Sequence, residues 1–153
     1  MYKIGLVYNE PKDISEEEKD LDPRSYRQPL IIAHNIKEAF ETNGHDVKPI
    51  PVSTNLLYDI KQAGDFDVIF NSAVGINHKD EQANIVAMLE LLDIPFVGSG
   101  LLAQVVSLNK EHAKATFKAV DVPVSPFQTF YSVDNRLDAD LTYPLFVKPV
   151  REG

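Results

Sequence analysis

Two lysines sit at positions where a cation is unusual. Lys110 follows Asn109 in the first turn of a helix that runs to about Val120. A positive charge there opposes the helix macrodipole and is mildly unfavourable unless an anion or another partner meets it. The position admits two readings, an exposed helix lysine or a lysine that holds an anion. Lys148 interrupts the apolar run Leu145-Phe146-Val147 and is followed by Pro149, which cannot donate to a sheet ladder. Such a charge is expected at a strand end facing a cleft, where an ammonium can meet phosphate as a compact point charge.

Other chemistries find no support. There is no G-x-G-x-x-G after the first strand and no G-x-x-x-x-G-K-[ST] anywhere, and Asn9 to Gln28, which joins the first strand to the first helix, contains no glycine. A dinucleotide cofactor needs its glycines at that junction. Gly98-Ser99-Gly100 reads as a tight turn. No Ser, His and Asp constellation stands out. With no cysteine, disulfides, thiolate zinc sites and cysteine nucleophiles are excluded. A formal net charge of -8 argues against a nucleic-acid surface, which needs clustered Lys and Arg. An anionic ligand must therefore be met locally. No run approaches the roughly 20 apolar residues of a membrane span, and Met1 to Tyr8 does not read as a signal peptide, so a cytoplasmic protein with no membrane partner is expected.

The elements that must carry these residues follow from periodicity. Lys3 to Tyr8 reads as a buried strand. Pro29 to Asn43 reads as an amphipathic helix closed by Gly44. His45 to Pro51 is a second strand, Asn55 to Ala63 a short helix, and Asp67 to Asn71 a third strand. Asp80 to Leu92 is a helix and Ile94 to Val97 a short strand. This alternation implies an α/β fold with a parallel sheet covered on both faces. Leu101 to Ser107 is helical, Asn109 caps the next helix, and Phe127 to Tyr131 and Tyr143 to Val150 read as strands. The acidic run Asp13 to Asp22 reads as a solvated loop.

The run Ile94-Pro95-Phe96-Val97-Gly98-Ser99-Gly100, then Ser107-Leu108-Asn109-Lys110, Val122-Pro123-Val124, and Tyr143-Pro144-Leu145-Phe146-Val147-Lys148-Pro149 with Arg151-Glu152-Gly153, resembles the D-alanine–D-alanine ligases of the ATP-grasp superfamily in order and spacing. The resemblance implies a Rossmann-like (pre-ATP-grasp) domain over residues 1–107 and an incomplete first part of an ATP-grasp domain over 108–153. It implies that Lys110 and Lys148 contact ATP phosphates. It also implies that Arg151, Glu152 and Gly153 begin the loop that closes over the triphosphate, Glu152 and Gly153 contributing to nucleotide binding. The Mg2+ ligands, and the arginine that serves the acyl-phosphate chemistry, are expected downstream, so this stretch alone is expected to be inactive.

The whole enzyme would join two amino acids, D-alanine by resemblance, in peptidoglycan precursor synthesis. Its partners would be amino acids and ATP, and dimerisation through the front domain is common in the family. In the amino-acid pocket the chain departs from the family pattern. Asn9-Glu10-Pro11-Lys12 stands where a glycine-rich turn and a glutamate are usual, and Val74 stands where a histidine precedes Gly75. Glu10 and Glu81 are the candidate substrate-binding counterparts. A ligase for other amino acids, or a non-catalytic ligand-binding α/β domain that uses Asp13 to Asp22 as an interaction loop, remains open.

Overall fold

A computed structural model describes residues 1–10, 23–76 and 81–151, with side chains of the first helix described from Gln28 onward. The chain divides into two compact units, Met1–Leu101 and Leu102–Gly153.

The first unit is built on four parallel strands, β1 (Lys3–Tyr8), β2 (Asp46–Pro51), β3 (Val68–Asn71) and β4 (Phe96–Val97), in the order β2-β1-β3-β4. Helices α1 (Pro23–Thr42), α2 (Leu56–Ala63) and α3 (Gln82–Leu91) connect them. Alternation along β1 sends its side chains to opposite faces. Ile4 and Leu6 pack with Ala33 of α1 and Val47, with Ile36, Phe40 and Phe70 around them. Val7 packs with Ile50, Leu56, Ile60, Ile69, Ile85 and Leu89 beneath α2 and α3. Each such fully buried aliphatic side chain contributes about 1.5–3 kcal/mol, so the α/β expectation rests on two real layers of core.

β2 lies at an edge of the sheet. The N–H groups of Asp46 and Val52 donate to Tyr2 and Tyr8 of the β1 segment at 2.9 and 2.8 Å, so by alternation the odd positions of β2 face outward. Pro49 and Pro51 therefore occupy the positions that need no donor. Gly44, at φ 80°, ends α1 in the expected place, with its own N–H on the Glu41 carbonyl and the His45 N–H on that of Phe40. The start of α1 differs from expectation. The helix begins at Pro23, not Pro29, and Pro29 lies inside it. Proline suits the first helical position, where no N–H bond is lost, and Pro23 supplies that signal as well as Pro29 does.

The second unit contains α4 from Leu102 onward (Leu101–Leu108 in full) and α5 (Lys110–Ala119). Asn109 caps α5 as expected, its Oδ1 accepting from the N–H groups of Glu111 and His112, both at 3.0 Å. At the other end Asp121 adopts φ 57° while the Val122 N–H donates to the Phe117 carbonyl at 2.9 Å, closing the helix in a left-handed turn.

Neither Phe127 to Tyr131 nor Tyr143 to Val150 is a strand, contrary to expectation. A strand needs a ladder partner, and side chains occupy that role here. Gln128 accepts from the Asp138 N–H at 2.9 Å and donates to the Arg136 carbonyl at 2.7 Å. Asn135 Oδ1 accepts from the N–H groups of Tyr131 and Ser132. Pro144 and Pro149 remove two further donors. Among the described residues, the buried apolar side chains all precede residue 90, whereas Phe146 and Val147 are each 95% exposed.

Candidate functional site

In the first unit, the sheet order places its switch point between β1 and β3, from which the chain leaves in opposite directions. Ligands of open α/β sheets bind beyond the carboxyl ends of the strands at such a point. Tyr8 ends β1, and Asn9 and Glu10 follow it directly. The Tyr8 hydroxyl donates to Glu10 Oε1 at 3.1 Å. Partial burial, that hydrogen bond and the negative charge of Glu10 together raise the Tyr8 phenol above its ordinary range.

On the other side of the switch point, β3 runs into the loop Ser72 to Gly75, where Ala73 and Gly75 are buried. Asn9 bridges the gap, with Nδ2 donating to the Gly75 carbonyl at 2.7 Å and Oδ1 accepting from the Val74 N–H at 2.8 Å. Val74, which stands where a histidine was expected by resemblance, is half-buried. Glu81 occupies the position just before α3 and is also half-buried. Glu10 thus lies at the switch point itself, and Glu81 lies on the segment that continues from the loop held by Asn9.

In the second unit, Lys110 and Lys148 line one depression of about 930 Å3. Local chain geometry brings their segments together: the Lys110 N–H donates to the Val150 carbonyl at 2.9 Å, fixing the end of the 143–150 segment against the start of α5. With the Asn109 side chain on the next two N–H groups, the first N–H groups of α5 are occupied by the protein. An anion in this depression would therefore meet lysine side chains rather than a bare helix terminus.

Lys148 is exposed and lies on an irregular segment, not at a strand end as expected. Its ammonium lies 5.9 Å from the centre of the Phe146 ring. Lys114 is a third lysine on the lining, one turn beyond Lys110. Its Nζ lies 4.5 Å from the Phe127 ring centre and 3.5 Å from the Ser125 carbonyl. Sequence reasoning missed it, although the four-residue spacing from Lys110 puts both on one helix face.

Among the described residues, the lining carries these three lysines and a single carboxylate, Glu111, in a chain whose net charge is -8. Glu111 is engaged by the Tyr131 hydroxyl, which donates to Oε2 at 2.5 Å; the bond raises the Tyr131 phenol. The depression is consequently a local concentration of positive charge beside apolar and aromatic surface from Phe127, Phe130 and Phe146. Such a surface suits a polyanion attached to a flat ring. Glu152 and Gly153 lie outside the described residues. Among the described residues, no group of three or more His, Asp or Glu side chains gathers to hold a metal ion, and no helix is long and apolar enough to cross a membrane.

The chain matches no family model. It is similar to curated proteins named D-alanine–D-alanine ligase. One from Halalkalibacterium halodurans is 31% identical over 128 residues, covering 81% of this chain and 41% of the relative. One from Neisseria gonorrhoeae is 33% identical over 121 residues, covering 77% and 38%, and one from Frankia casuarinae is 36% identical over 93 residues, covering 59% and 24%. The matched region thus spans well under half the length of these relatives. A crystal structure of a D-alanine–D-alanine ligase from Bacillus anthracis shares the fold, with a TM-score of 0.56 at 19% identity over 78% of this chain and 35% of that one. The structure titled as that ligase complexed with ATP matches with the same TM-score at 18% identity, over 78% of this chain and 37% of that one.

Proposed function

We propose that this chain, which belongs by sequence and fold to the D-alanine–D-alanine ligase family, is the N-terminal portion of an ATP-dependent ligase joining two amino acids in peptidoglycan precursor synthesis. The observation that carries the nucleotide half of the proposal is the convergence of Lys110, Lys114 and Lys148 on one depression in an otherwise acidic chain. Residues 1–107 form the pre-ATP-grasp domain, and residues 108–153 begin the ATP-grasp domain.

The residues fit the group they are assigned. ATP, when bound, supplies the phosphoryl group that activates a substrate carboxylate. Lys110 and Lys148 neutralise its phosphate oxygens, and an ammonium on a flexible stem can follow those oxygens as they move. Lys114, held against Phe127, adds to the field without a fixed fork geometry. Glu152 and Gly153 join the closing loop that excludes water around the phosphates. Mg2+ is held by residues of the whole enzyme outside this stretch.

In the crevice of the first unit, Glu10 and Glu81 meet the ammonium group of the first amino acid, D-alanine by the family's name. The Tyr8 hydroxyl holds the Glu10 carboxylate through the bond already described. Val74, half-buried at the mouth, favours a second reading in which the first substrate is a different small amino acid, because an apolar side chain there offers no hydrogen bond. The enzyme acts in the cytoplasm, where ATP is available.

The test is ADP release by the full-length ligase, assayed against D-alanine, other small amino acids and each alone. ADP release that needs D-alanine and yields a dipeptide supports the proposal. Release with another amino acid only selects the second reading, and amino-acid-independent release or none refutes both.

A further inference from the structure

The switch point is spanned by an amide side chain whose role the ligase proposal does not use. Asn9 joins two backbone groups 65 and 66 residues away in sequence, at 2.8 and 2.7 Å, in a part-buried setting. It is not alone in ordering that loop. Asn71 Oδ1 accepts from the Ala73 N–H at 3.0 Å, and the Ser72 N–H donates to the Val7 carbonyl at 2.8 Å. Those two bonds hold only the beginning of the loop. Its far end, Val74 and Gly75, is tied back to the β1 side by Asn9.

That far end matters because of what flanks it. Glu10 is the residue directly after Asn9 at the end of β1. We infer that Asn9 is a positioning residue for an amino-acid site at this switch point: by clamping Val74 and Gly75 to the end of β1, it fixes that loop beside the segment carrying Glu10, and so sets affinity for a ligand ammonium group. The inference rests on the amino-acid-binding role proposed above. Glu10 sits on a connecting segment, where an unanchored backbone would spend binding energy on ordering. The clamp removes that cost before the ligand arrives. Its own amide groups are directed at the loop backbone, so it acts through Glu10 and that loop.

The experiment is a titration of the isotope-labelled full-length ligase with D-alanine, followed by NMR, for the parent protein, Asn9→Ala and Asn9→Ser. Glycine and L-alanine serve as further probes, and urea unfolding of each protein is measured alongside. Asn9→Ala is expected to weaken D-alanine binding by about tenfold or more, the scale of a lost preorganising contact, and to speed hydrogen exchange at the Val74 amide. Asn9→Ser replaces the carboxamide with a hydroxyl on Cβ, a shorter polar group, and should fall between the two; it carries the test if the alanine variant does not fold.

A merely structural role would lower the unfolding midpoint yet leave affinity within about twofold of the parent under folding conditions. That result overturns the positioning role and leaves the amino-acid site standing. If the full-length parent protein binds none of the three probes, the amino-acid site itself is refuted, and this inference with it.

Discussion

Replacing Gly5 by alanine tests how tightly β1 is seated in the core. An alanine Cβ at this position would lie 2.5 Å from Ile69 Cδ1, 3.3 Å from Phe66 Cδ1 and 3.4 Å from Ile50 Cδ1. Carbon atoms prefer about 3.5–4.0 Å, so the first contact overlaps by about 1 Å. Ile69 is fully buried and cannot swing its methyl into solvent. Overpacking of this kind costs about 1–3 kcal/mol. The opposing gain, from restricting the unfolded chain where glycine becomes alanine, is only about 0.4–1 kcal/mol. The substitution should therefore destabilise the protein by about 1–2 kcal/mol in urea unfolding. Ile69→Val removes the offending methyl and alone costs about 0.5–1.5 kcal/mol. Combined with Gly5→Ala, it should cost less than the sum of the two, because both changes act on one contact. Unchanged or increased stability in Gly5→Ala, or strict additivity in the pair, would show that β1 and β3 are not packed as described.

Two further outcomes follow from local geometry. Asn109→Ala removes the acceptor for the N–H groups of Glu111 and His112, and should reduce the stability of α5 by about 0.5–2 kcal/mol, read as lower protection of the first-turn amides in hydrogen exchange. Because the Tyr8 phenol is raised above its ordinary 10.0 by burial first and Glu10 second, the unfolded chain gives up this proton before the folded one. Its contribution to stability is fully present below about pH 10 and falls as pH rises through the folded value. Absorbance titration near 295 nm should accordingly lose a late-ionising phenol in Tyr8→Phe.

Much of the first unit was legible because its signals are local: alternation in β1, the apolar stripes of α2 and α3, and the glycine that ends α1. The start of α1 was misjudged because Pro23 and Pro29 offer the same signal. The two extended segments of the second unit were misread for a different reason. Apolar alternation shows that a segment can pair, but whether Phe127 to Tyr131 finds a strand or the side chain of Asn135 depends on tertiary contacts. At the candidate sites, Lys110 and Lys148 stood out by position, and their meeting depends on the bond between Lys110 and Val150. Asn9 carried no sequence signal at all, since its two partners lie 65 and 66 residues away and are backbone groups of any residue type.

The central claim is that the lysine depression of the second unit holds the phosphates of ATP in a ligase. It is tested most directly by the steady-state kinetics of the full-length ligase with varied ATP, comparing the parent with Lys148→Ala at saturating D-alanine. The account predicts that kcat/KM for ATP falls by about tenfold or more, equal to at least about 1.4 kcal/mol of lost phosphate stabilisation, with the unfolding midpoint unchanged because Lys148 is exposed. Turnover and KM for ATP equal to those of the parent would contradict it.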